Sequence, residues 1–285
     1  MCWLDSPPSS SGCRLRLREI PANPHPRPPS CSVIRVVAGD LARVLRVYFF
    51  PMSIVENVAD VRRRISTAAL TAGRNPDEIT LMAVSKTFPA DSIREAYAAG
   101  LRIFGENRVQ EFSGKAAALA DLTDAEWHMI GHLQTNKAAA AAELFDAVDS
   151  LDSVKLAEKL NVSAGKLGKK LEVLIEINVG GETAKSGLAP DSSDLEDLLM
   201  AAPGLENFEF RGLMTIPPFT DDAQKARTYF RQLRALRDHM AARRLPAIRM
   251  DVLSMGMSHD FEIAIEEGST CVRVGTAIFG QRERH

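Results

Sequence analysis

From position 52 onward the chain alternates short apolar or β-branched runs with longer stretches whose apolar residues recur at helical spacing. Eight runs read as strands: "EITLMAVS" (78–85), "RIFGE" (102–106), "EWHMIG" (126–131), "AVDSLD" (147–152), "LEVLIEINVG" (171–180), "FEFRGLMTI" (208–216), "IRMDVLS" (248–254) and "CVRVGTAIFG" (271–280). Between them lie helical segments such as "DSIREAYAAG", "VQEFSGKAAALA", "SVKLAEKL" and "DFEIAIEEG", with lengths suited to βα crossovers. A further helix leads the series in "MSIVENVADVRRRI", where Ser53 and Glu56 form a capping-box pattern and Val58, Val61 and Ile65 share a face. Eight parallel strands with intervening helices and one leading helix predict an α/β fold, a single (β/α)8 barrel of the TIM type. An open doubly wound sheet is the alternative, and no G-x-G-x-x-G follows the first strand.

Residues 1–51 break this pattern. They carry eight of the fifteen prolines, seven arginines, three acids and no lysine, and runs such as "NPHPRPPS" form neither helix nor ladder. The segment reads as a disordered or non-native extension, with Met52 as the natural start, although "SVIRVVAGDLARVLRVYFF" has the pattern of an amphipathic helix. The predicted division is therefore 1–51 as extension and 52–285 as barrel.

Composition narrows the partners. A formal net charge of −2 in a chain that is 45% hydrophobic provides no basic footprint for nucleic acid or an anionic membrane. Arg35, Asp40, Arg43 and Arg46 interrupt the longest apolar runs too often for a membrane-spanning helix. Cys2, Cys13, Cys31 and Cys271 have no metal-binding or disulfide-framework spacing. A cytoplasmic monomer is expected.

Because barrels place their sites at the carboxyl ends of the strands, the residues there are the candidates. Lys86, the first lysine in the chain, ends the first strand. It is either an amine that captures a carbonyl after desolvation lowers its pKa, or a rim lysine in a salt bridge. Glu106 and Asn107 enter the mouth after the second strand, where Asn107 caps the next helix or donates to a ligand. "WHMIGHLQTNK" groups His128, His132, Asn136 and Lys137; the two histidines lack a shared helix face for a metal, and Asn136 is expected to cap the Ala-rich helix. The "TAKSG" loop after the fifth strand is placed to close over a ligand, and Met214 at the end of the sixth offers an apolar floor to a flat ring or belongs to the core.

The last two strands are the most informative. Ser254, Gly256 and Ser258 lie in one loop, and Gly275 and Thr276 end strand eight; small residues let backbone N–H groups crowd an anion where barrels often bind phosphate. Arg273, two residues before Gly275, points inside the barrel, where it needs either an acid such as Glu176 or a ligand atom. An aldehyde-capturing lysine, a phosphate cup and an arginine together suit pyridoxal 5'-phosphate (PLP) or a sugar phosphate.

The blocks "AVSKTFP", "GENRVQE", "WHMIGHLQTNK", "GLMTI" and "LSMGMSHDFEIAIEEGSTCVRVGTAIFG", in that order, resemble the pyridoxal phosphate homeostasis proteins, a family similar to the barrel domain of alanine racemase. The resemblance runs from Met52 to about Arg282. It implies a PLP barrel of fold type III, with Lys86 carrying the cofactor as an internal aldimine. It also implies that Asn107 and Met214 flank the ring, that Ser258, Gly275 and Thr276 hold the phosphate, and that Arg273 faces the pyridine nitrogen. It further implies a role in PLP homeostasis without established catalysis; PLP-dependent apo-enzymes are the candidate recipients of a carrier.

Racemases of this fold class use a second acid or base, commonly a tyrosine from a second domain. Here Tyr48 lies in the unmatched segment, Tyr97 and Tyr229 lie on helices, and the sequence stops soon after strand eight. A non-catalytic carrier is expected. The runner-up is an amino-acid racemase or lyase with His132 or Lys137 as second base, and a Schiff-base aldolase is third; Lys137 is also a candidate second PLP site.

Overall fold

A computed structural model of the chain describes residues 52–182 and 185–281. The expectations for residues 1–51, and for Thr183 and Ala184 of the "TAKSG" loop, fall outside the described residues. The chain divides into two units, 1–51 and 52–285, and the second is the barrel.

Eight parallel strands close on themselves in sequence order: β1 (Thr80–Val84), β2 (Ile103–Glu106), β3 (Glu126–Met129), β4 (Ala147–Leu151), β5 (Leu171–Glu176), β6 (Phe208–Met214), β7 (Ile248–Ser254) and β8 (Cys271–Val274). The helices are α1 (Ile54–Thr71), α2 (Ala90–Ala98), α3 (Val109–Ala116), α4 (Ala138–Leu144), α5 (Val154–Lys166), α6 (Ser193–Ala201), α7 (Ala226–Ala242), α8 (Phe261–Glu266) and α9 (Thr276–Phe279). All eight predicted strands are present. Some are shorter than the apolar run suggests: β8 stops at Val274, and the rest of "CVRVGTAIFG" turns into α9, because Gly275 begins a helical turn.

The leading helix follows its sequence signature. Ser53 accepts from the Glu56 N–H while the Glu56 carboxylate accepts from the Ser53 N–H, closing the capping box. Its buried face, Val58, Val61, Ile65, Ala68 and Ala69, packs into the outer core, and Asn57 Nδ2 donates to Ile278 O at 2.8 Å. That face links the first helix to the last elements of the barrel.

Two apolar layers result from the strand alternation. The larger lies between strands and helices; the smaller, inside the barrel, comprises Met82, Val84, Ile130 and Cys271, flanked by Ile103 and Val252. Cys271 is a free thiol whose pKa burial pushes up to about 12.

Below that layer, at the amino-terminal ends of the strands, the lumen is polar and holds a cavity of about 230 Å³. His128 Nδ1 lies 3.0 Å from Asp149 Oδ1, and Arg211 Nη1 lies 2.6 Å from Glu172 Oε1. Burial opposes the charged form of His128, yet Asp149 and Glu126 outweigh it and push its pKa up to about 10.

Removing His128 strands a buried carboxylate, so His128→Gln is expected to cost about 3–5 kcal/mol near neutral pH. A folded pKa above the free value of about 6.5 means this contribution is complete below that pH and is lost as pH rises through about 10. Denaturant unfolding of wild type and His128→Gln, compared at neutral pH and at about pH 10.5, should show the gap closing on the alkaline side.

Candidate functional site

Strand β1 ends at Val84, two residues short of the expected Lys86, which instead sits in the turn Ser85–Phe88. Phe88 N–H closes that turn on Ser85 O at 3.1 Å, and Thr87 takes a left-handed φ of 69°, uncommon for a β-branched residue. The turn is held from outside the barrel. Lys115 Nζ, on α3, donates to Ser85 O and Phe88 O at 3.1 and 3.2 Å and pairs with Glu106 Oε1 at 2.8 Å. Glu106 Oε1 also accepts from Ser85 Oγ at 2.5 Å, and Glu111 accepts from the Thr87 N–H.

Glu106 therefore does not enter the mouth as the sequence suggested. Its neighbour Gly105 takes the lumen position against Met82 and Ile130, which turns the Glu106 side chain outward toward α3. Burial pushes its pKa up, with Lys115 and Ser85 opposing.

Six of the seven candidate residues, Lys86, Asn107, Ser258, Arg273, Gly275 and Thr276, line one cavity of about 250 Å³ at the carboxyl ends of the strands. That is just below the usual range of small-ligand sites, roughly 300–1,000 Å³. Asn107 performs no capping, since the α3 N-cap is Arg108 and no side chain bonds there. It reaches the mouth because Gly131 leaves room: a Cβ there would lie 2.4 Å from Asn107 O. The expected Asn136 cap is absent too; Thr135–Lys137 forms a separate short turn and Lys137 precedes α4.

Met214 is the seventh candidate and does not join the others. It is fully buried at the end of β6, and Ile216, two residues on, lines the cavity instead. The strand ends at Met214, so the chain beyond it rather than the strand residue itself reaches the mouth.

Arg273 is 3% exposed and donates from Nη1 to Ser254 Oγ and from Nη2 to Thr215 O, both at 2.7 Å. Glu176 is not its ion-pair partner among the described residues; that carboxylate accepts from Ser186. Burial lowers the Arg273 pKa, against the pull of Cys271, Asp149, Glu176 and Asp260.

Across the cavity, Ser258 Oγ accepts from Gly275 N at 3.2 Å and Ala277 N at 3.3 Å, so two backbone donors converge on one point. Gly256, at φ 94°, lets this loop pass α8, where a Cβ would sit 2.5 Å from Ala264 Cβ. Asp260 fixes the loop by accepting from Met257 N at 2.6 Å.

Sequence reasoning missed the apolar wall of Phe88, Ile130, Ile216 and Phe219, and the whole Lys115 brace. The i, i+4 pair Glu111 and Lys115 was legible, but not that it reaches back over β1. The candidate second bases lie elsewhere. His132 Nδ1 pairs with Asp152 at 3.1 Å beside a neighbouring cavity, Lys137 lines neither cavity, and Tyr97 bonds Asp124 on the outer surface. Tyr229 lies on α7 away from the cavity, and Tyr48 is outside the described residues. Among the described residues no helix is long and apolar enough to cross a membrane.

Residues 57–283 match the family model of the alanine racemase N-terminal domain. The chain is 46% identical over 232 residues to the pyridoxal phosphate homeostasis protein of Aquifex aeolicus, covering 81% of this chain and all of that one. It is 47% identical over 231 residues to the protein of that name from Pseudomonas aeruginosa, covering 81% and 96%. Among solved structures, PipY of Synechococcus elongatus PCC7942 with PLP bound superposes with a TM-score of 0.70 at 41% identity, covering 80% of this chain and 100% of PipY. With the barrel, the cavity at its mouth and these relatives in agreement, the chain belongs to the pyridoxal phosphate homeostasis protein family, built on the alanine racemase N-terminal domain.

Proposed function

We propose that the protein binds pyridoxal 5'-phosphate through Lys86 and serves in cytoplasmic PLP homeostasis, holding the cofactor and passing it to PLP-dependent apo-enzymes rather than catalysing a reaction on it. The observation that carries this reading is the convergence of Lys86, Arg273 and the Ser258–Gly275 turn on one cavity that Phe88, Ile130, Ile216 and Phe219 also line. These residues fit a flat ring with an aldehyde on one side and a phosphate on the other. Bound PLP supplies an aldehyde for covalent attachment and a ring able to withdraw electrons.

The chain's residues divide the work. Lys86 would hold the cofactor, its amine being the group able to take up the aldehyde as a Schiff base. Ser258 and the N–H groups of the turn through Gly275 and Thr276 would hold the phosphate, and Asn107, Ile130 and Ile216 would flank the ring. Arg273 would sit beside the ring nitrogen. A guanidinium only donates hydrogen bonds, so it would favour an unprotonated nitrogen and a weak electron sink. No tyrosine among the described residues lines the cavity to act as a second base. These two features favour holding over catalysis, and the names of the curated relatives agree with that reading.

The Lys115 brace sets the position of Lys86. Glu106 needs Lys115 as its cation, and the turn carbonyls of Ser85 and Phe88 need the same ammonium as their donor.

Purified protein with PLP should be yellow, and Lys86→Ala should lose the Schiff-base absorption band; a wild type that stays colourless after PLP addition overturns the reading. In deuterated water the loaded protein should exchange amino-acid α-protons no faster than free PLP does, and faster exchange would favour a racemase or lyase. Lys115→Met should destabilise the fold by about 3–5 kcal/mol and weaken PLP retention, read by thermal melting and by absorbance after gel filtration.

A further inference from the structure

The residues that line the cofactor cavity are not equally covered. Val84 and Arg273 are buried, whereas Ile216, Phe219, His259 and Thr276 are exposed. The opening of the cavity therefore lies on the side of those four, between the loops that follow β6 and β7 and the start of α9. His259 follows Ser258 and Thr276 follows Gly275, so the opening borders the groups proposed above to hold the phosphate.

Phe219 stands out on that rim. It is 76% exposed, although a phenyl ring gains most from being covered. Its ring lies tilted at 44° to that of His259, with 5.5 Å between centroids, and this contact spans the opening from one loop to the other. Both sides are anchored. His259 Nε2 lies 3.3 Å from Oδ2 of the buried Asp260, whose Oδ1 accepts from Met257 N at 2.6 Å. On the other side Lys185 Nζ donates to Pro217 O at 3.2 Å and Thr220 Oγ1 donates to Asp222 O at 2.7 Å. Gly180 leaves Pro218 room to pack, since a Cβ there would lie 2.5 Å from Pro218 Cγ. Phe219 is thus presented from a held backbone and swings about its own side-chain torsions.

We propose that Phe219 and His259 form a latch across the cavity mouth that sets how long the phosphate-bearing ligand stays bound. The phenyl ring covers the open side of the loaded cavity, and escape requires its contact with His259 to part. The inference rests on the cofactor reading and adds to it. Lys86 holds the aldehyde end, while the latch slows both the exit of the cofactor and the entry of outside nucleophiles.

The test loads the full chain with PLP as wild type, Phe219→Ala, His259→Ala and the double variant, and removes the excess by gel filtration. Excess hydroxylamine, which traps the aldehyde as its oxime, is then added and loss of the Schiff-base absorption band is followed. Each single variant should lose the band about five to ten times faster than wild type. The double variant should be no faster than the quicker single, because the two side chains act through one contact. Phe219→Tyr, which keeps the ring, should stay within about twofold of wild type. Thermal melting checks that these exposed substitutions leave the barrel folded. A rate within about twofold of wild type for either single variant, or effects that multiply in the double variant, overturns the latch while the cofactor reading stands. A wild type that never forms the band overturns the cofactor reading, and the latch with it.

Discussion

The pairing of β1 with β8 is the contact on which the site depends. Four register pairs, from Thr80 with Cys271 to Ala83 with Val274, close the barrel and bring the turn bearing Lys86 beside the strand bearing Arg273. The partners lie almost the whole described chain apart, so closure cannot form early from local contacts, and its loop entropy must be offset by the seven strand pairings before it. Helix α1 strengthens the same seam, because it packs against α8 and α9 on either side of β8 and Asn57 bonds Ile278. Loosening this seam would separate the amine from the groups opposite it while leaving each half locally intact.

Much of this was legible in the sequence, and the reason is physical. Parallel strands buried on both faces leave dense apolar runs, and the crossover helices between them keep a 3.6-residue period, so all eight strands and the leading helix could be read from spacing. The mouth followed from the rule that barrel sites lie at strand carboxyl ends. What failed was finer than a strand. Met214 and Ile216 differ by two residues, and only the point where β6 gives way to irregular chain decides which of them lines the cavity. Glu106 is a question of which face of β2 it occupies, set by pairing register. The brace from Lys115 joins residues thirty positions apart along a helix whose rotation about its axis no linear pattern states.

The site also divides its polar groups by what they answer. Arg273, buried and bonded to a hydroxyl and a carbonyl, makes no direct ion pair with a carboxylate among the described residues, although Asp149, Glu176 and Asp260 pull on its charge. Glu176, close by, is equally buried and lacks a donor on one oxygen. An ion pair between them would have satisfied both and emptied the mouth of directional chemistry. Their separation leaves a guanidinium and a carboxyl group, the latter's pKa pushed up by burial, in adjoining cavities that share Ile216.

Cys271 gives the barrel a further property. It lies two residues before Arg273 on β8, in the lumen beneath the mouth, and it is the cysteine found among the described residues. With its pKa pushed up to about 12 by burial, it stays a thiol throughout the physiological range. A thiolate at that depth would be a sulfur nucleophile in the lumen and an entry point for oxidation. Sealed among Met82, Val84 and Ile130, the sulfur is chemically silent.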